Sequence, residues 1–165
     1  MLGAEPSPAT GPRAGLRLRA EDAEDLAVIS AGLQDALVAV RDLASDRDAR
    51  TFILVANRFR WEAGAGAPDE VPFERTLCGV AFDDVGDVAY RGFHRSEEDR
   101  ILSLLAIHPA AEGPRGAAAT GPAGALIDLE FAAGAAIRLS AARIACRVRD
   151  FGEPWPTAWQ PDHSP

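Results

Sequence analysis

Arg58 and Arg60 stand at i, i+2 in the stretch FILVANRFRWE, Phe52 to Glu62, with Asn57 and Glu62 beside them. Two guanidinium groups at that spacing project from one side of a strand, where they can hold a carboxylate or a phosphate. Asn57, Arg58, Arg60 and Glu62 are therefore the candidate ligand-binding residues, and an anionic metabolite is the ligand they imply. A second candidate lies in EPWPTAW, where Trp155 and Trp159 sit on a proline-braced segment. They either fold back onto the domain or present aromatic area to a partner protein.

Other chemistry finds no motif. There is no G-x-S-x-G, S-x-x-K, H-E-x-x-H or C-x-x-C in the chain. His94, His108 and His163 are widely spaced, which is not a metal-ligand pattern. GAGAPD lacks the third glycine of a dinucleotide fingerprint, and GPRGAAATGPAG lacks the Lys-Ser/Thr of a phosphate loop. Cys78 and Cys146 each fall in an apolar run, as small buried hydrophobes do in a reducing compartment. The sequence implies no catalytic residue, no metal and no cofactor.

The elements that must position these residues follow from periodicity. LRLRA, at Leu16 to Ala20, alternates as a short strand. A helix is expected in EDAEDLAVISAGLQDAL, with Asp22 as N-cap, Glu24 and Asp25 in the first turn, and Leu26, Ile29 and Leu33 on one face. From Ala36 the pattern is nearly all strand. ALVAVRDLA and TFILVANRFRWE flank a polar turn; RTLCGVAF and GDVAYRGF flank Asp83-Asp84. RILSLLAI is almost continuously apolar, so it is expected to be a central strand covered on both faces. LIDLEF places Ile127, Leu129 and Phe131 inward. The apolar parity of AIRLSAARIACRVRD changes midway, so a turn or bulge is expected near Ser140–Ala142.

Parity also divides Phe52 to Trp61. Arg58 and Arg60 are expected on a solvated rim, with Phe59 and Trp61 in the core. The alternative puts Phe59 and Trp61 outside as stacking platforms for bases, which needs a basic groove.

These elements predict an α+β fold, predominantly β, with one N-terminal helix packed on a strongly curled antiparallel sheet, barrel-like or two-layer. The expected organisation is a flexible tail at 1–14, a single β-rich domain at 15–151 with a flexible insert at 110–124, and an extended Pro/Trp-rich tail at 152–165. One domain suits 165 residues.

Charge narrows the partners. The formal net charge is −8, and all 17 basic residues are arginine, a bias that fits a GC-rich genome. Such a chain repels phosphate polymers and anionic membranes, so neither nucleic acid nor a membrane is an expected partner. With no hydrophobic leader core near Met1, the expected location is the cytoplasm.

LRLRAEDAEDLAVISAGLQDALV, NRFRWE, LSLLAI and IRLSAARIACRVRDFGEPWPT, in that order, resemble a bacterial family of unknown function, DUF2948. The likeness spans most of Leu16 to Thr157. It implies a small bacterial cytosolic protein and carries over no activity or catalytic residue. The sequence thus points to a non-enzymatic protein-interaction module, acting on a protein partner or as a homodimer. The alternative is a domain that binds an anionic metabolite at the Arg-lined rim.

Overall fold

The computed structural model describes residues 15–61, 73–110 and 124–157. Glu62, Trp159, the 1–14 tail and all but the ends of the 110–124 insert lie outside them. After β1 (Arg17–Ala20), the carboxylate of Asp22 accepts from the Asp25 amide at 2.8 Å and starts α1 (Ala23–Gly32). That bond satisfies one of the amides a helix start leaves unpaired. Leu26, Ile29 and Leu33 are buried, as their spacing requires, and Val28 on the opposite side is exposed.

Nine further strands follow: β2 (Leu37–Ala39), β3 (Leu43–Asp46), β4 (Thr51–Phe59), β5 (Phe73–Phe82), β6 (Val85–Arg91), β7 (Ile101–Pro109), β8 (Ala125–Phe131), β9 (Ala136–Ala141) and β10 (Cys146–Thr157). All pairings are antiparallel, in the order β1-β10-β5-β4-β2-β7-β8-β9-β6, with β3 attached to β4. Strand β2 joins the two halves and meets β4 through one residue pair, Leu37 with Asn57. One buried cluster draws on both halves and on α1, which packs against β1 and β7.

The fold is α+β and predominantly β, but the barrel-like expectation is corrected. The sheet is neither closed nor strongly curled, and its path ends at β1 and β6. Closure gives every strand two neighbours. Here β1 is only four residues long and runs directly into the Asp22 cap, leaving it one ladder, with β10.

Two local expectations also change, and the expected break after β9 is found. The even-numbered face of β4 is the inner one, because Phe52, Leu54 and Ala56 stand opposite Phe82, Val80 and Cys78 of β5. Strand β7 is covered on one face only: Leu102, Leu104 and Ile107 are buried, whereas Ile101 and Leu105 are exposed. The helix covers the inner side, and no described element covers the other. The parity change after β9 is resolved by a turn at 142–145, which frees β10 to present Cys146 and Val148 inward. LIDLEF behaves as expected, with Ile127, Leu129 and Phe131 buried.

Candidate functional site

Inward parity carries Arg58 into the edge of the core, where apolar neighbours offer its charge no solvation. Asp150 of β10 supplies it. Arg58 Nε donates to Asp150 Oδ1 at 2.8 Å and Nη2 to Oδ2 at 2.6 Å, and the two side chains are 1% and 5% exposed. The Leu16 amide also donates to Asp150 Oδ2, at 2.7 Å, so the carboxylate ties β1, β4 and β10 together. Arg60, also buried, pairs with Glu74 of β5. The solvated-rim expectation for Arg58 and Arg60 is therefore corrected: both guanidinium groups already hold a carboxylate of their own chain. Charge-assisted bidentate pairing is what allows a guanidinium to stay buried.

Asn57 lies on the outer face of β4 and meets a third arginine, Arg75 of β5. Arg75 Nε donates to Asn57 Oδ1 at 2.6 Å, and Nη2 to the Asn57 carbonyl at 2.9 Å. Burial pulls the Arg75 pKa down, partly offset by Asp35. Its Nη1 is buried without a hydrogen-bond partner among the described residues. Phe59, next along β4, is buried under Trp61 and Phe73, at ring distances of 4.6 and 5.7 Å. It is thus buried as expected, but beneath aromatic cover on the outer side of the sheet.

The second predicted group arrives at the same place. Strand β10 continues through the proline-rich segment to Thr157 and pairs with β5 along the way. Here β10 has outrun β1 and has become an edge, where proline's missing amide is tolerated. Phe151 is opposite Leu77 and Trp155 is opposite Arg75, so four residues of β10 span two of β5. This wide bulge includes Gly152 at φ +73°, a conformation that favours glycine. Its effect is to put Phe151 and Trp155 on the same face in neighbouring rows. They are 44% and 36% exposed. Asn57, Arg75 and Trp155 thus gather at one end of the β4-β5-β10 face, with Arg58 and Arg60 beneath or beside it.

The sequence reading missed a cleft of about 430 Å³ beside the β6–β7 connection, lined by Tyr90, Phe93, His94, Arg95, Glu97 and Arg100. The charged run HRSEEDR was its only signal, and charge runs usually mark solvated loops. Its arginines are engaged in fastening that loop. Arg95 donates to the Tyr90 hydroxyl and the Leu43 carbonyl at 2.7 Å, and Arg100 to the Gly92 carbonyl and Glu97. Gly92 itself sits at φ +81°, and a Cβ there would come within 2.5 Å of the Gly134 carbonyl oxygen.

Both cysteines are free and buried, and burial pushes each thiol up to about 12. A thiol that stays protonated is a poor nucleophile, which fits a packing role.

What these features define is a class: an α+β protein with an open antiparallel sheet, one α-helix among the described residues, and an exposed aromatic pair on its outer face. The chain belongs to the family described as protein of unknown function (DUF2948), whose model matches residues 16–163. No curated protein and no solved structure matches it. No helix among the described residues is long and apolar enough to cross a membrane.

Proposed function

We propose that this protein is a non-enzymatic interaction module that docks a partner protein, or a second copy of itself, against the outer face of β10 and β5. The observation that carries the reading is the exposure of Phe151 and Trp155 side by side on one face. Leaving two large aromatic side chains partly wet forfeits roughly 1–2 kcal/mol each, and a partner's surface would recover it. Aromatic residues of this kind anchor protein interfaces. The bulge that aligns them needs a left-handed Gly152, which a simple edge strand does not require. We place the module in the cytoplasm of a bacterium, in keeping with its reduced cysteines and arginine-only basic residues.

The anionic-metabolite reading draws less support. A ligand at Arg58 or Arg60 would have to displace Asp150 or Glu74 from a buried pair.

The test is photocrosslinking from a benzoylphenylalanine placed at Phe151 in the full chain, within its native cytosol, with the same probe at Val28 as control. Discrete adducts from position 151, absent from position 28 and lost with Trp155→Ser, are the expected result. Identical patterns from both positions would remove the outer face of β10 as the contact.

A further inference from the structure

Strand β10 carries more on its outer face than two aromatic rings. Arg147 and Arg149 precede Phe151 on that face, and they stand opposite Arg19 and Arg17 of β1. Directly opposed residues of an antiparallel pair share a face, with Cβ atoms about 5 Å apart, and like charges there are unfavourable. Four exposed arginines therefore form two repelling cross-strand pairs in a chain whose net charge is −8. Only Arg147 has an ion pair, with Asp83 at 3.0 Å; Arg17, Arg19 and Arg149 have none among the described residues.

Beside this quartet runs a trough. The next strand places Gly79 opposite Arg149 and Ala81 opposite Arg147, and the strand beyond places Val55 and Ile53 in the same rows. A Cβ added at Gly79 would meet nothing within 4 Å, so the space above it is open. One wall is cationic, the floor is small, and the other wall is aliphatic, with Ile53 exposed.

We infer that this trough takes an extended segment of a partner protein that carries acidic side chains toward Arg17, Arg19, Arg147 and Arg149 and apolar ones toward Ile53 and Val55. The inference rests on the docking reading and adds the chemistry of what docks. Charge complementarity selects the occupant. Carboxylates at alternate positions match the two-residue repeat of the arginines and form bidentate pairs with them. A nucleic acid strand suits the surface less well. It extends past four arginines into the field of a net-acidic protein, and it offers nothing for the aliphatic wall. An anionic bilayer meets the same field and cannot enter a trough floored by glycine and alanine.

The experiment selects a random-peptide phage library on the intact chain, then compares binding of enriched peptides to the Arg17→Glu/Arg149→Glu variant. Both substitutions are at exposed positions, and unchanged circular dichroism and melting would establish that the variant is folded. The expected pool is rich in Asp or Glu at alternate positions. Its peptides should bind the variant roughly tenfold more weakly or worse, and their Lys-for-Glu counterparts should bind the variant better than they bind the parent. Enriched peptides without acidic residues, or equal binding to parent and variant, would overturn the acidic partner while leaving the docking face intact. An empty selection would overturn the docking reading, and this inference with it. Tighter binding of oligothymidylate, or of phosphatidylserine vesicles, than of any selected peptide would overturn the choice of a protein segment.

Discussion

Replacing Arg58 by Met removes a guanidinium and leaves its partner in place. Asp150 would then be a carboxylate 5% exposed, with the Leu16 amide as its remaining side-chain hydrogen bond among the described residues. Breaking a buried pair from one side costs about 3–5 kcal/mol, because the surviving charge keeps its desolvation penalty and loses its compensation. For a domain of this size each kcal/mol corresponds to roughly 3–4 °C, so the melting temperature should fall by roughly 10–20 °C. Removing both charges tests the cause. In Arg58→Met/Asp150→Leu the orphaned charge is gone, and what remains is an unpaired Leu16 amide, worth about 1–3 kcal/mol. The double variant should therefore be more stable than Arg58→Met alone. Urea denaturation followed by tryptophan fluorescence gives all corners of the cycle. A cost below about 1 kcal/mol for Arg58→Met would refute the reasoning, since a guanidinium kept for a ligand would be dispensable to the fold. A double variant no better than the sum of the singles would refute it too, by showing that the two residues are not coupled.

Two further predictions concern titration. With Cys78 and Cys146 at about 12 against an ordinary 9.0, the thiolate fraction at mildly alkaline pH falls roughly a thousandfold; native protein should resist iodoacetamide and unfolded protein should take two labels, and rapid labelling of native protein would refute the burial. His108 has its pKa raised, first by Nδ1–H donation to the Pro109 carbonyl at 3.0 Å and then by Glu130, whose oxygen is 3.3 Å from Nε2. Because the folded form binds this proton more tightly, the stabilisation is full below the unfolded pKa and is lost as pH rises through the raised folded value. Both side chains are over two-fifths exposed, so the stability effect is small and NMR titration is the assay. Glu130→Gln should lower the midpoint, and an unmoved midpoint would remove Glu130 as a cause.

The helix and its start were legible because capping and the 3.6-residue period are local. Asp22, Leu26, Ile29 and Leu33 needed only each other to be read correctly. The same holds for LIDLEF and for the break after β9, since alternation is a property of a short stretch. Strand identity was therefore largely fixed by local pattern. Which side of β4 faces inward was not, because both halves of FILVA are apolar and parity alone has no sign. Phe82, Val80 and Cys78 supplied the sign from another strand. Once Arg58 was turned inward, its meaning changed from ligand holder to half of an ion pair with a residue 92 positions away.

Neighbour order shows the same limit at a larger scale. Reading along the chain leaves β1 and β10 at opposite ends. The fold inserts β10 between β1 and β5, and only then do Arg17 and Arg149, or Arg19 and Arg147, share a row. The sequence by itself determined an arginine-only, acidic, mostly β chain with one capped helix, because composition, capping and alternation are carried by adjacent residues. Tertiary structure decided which arginines are buried with a carboxylate and which stand exposed together. That choice depends on pairings between separate strands, 92 positions apart for Arg58 with Asp150 and farther still for Arg17 with Arg149, and a buried charge must find its partner through them, whereas an exposed one need not.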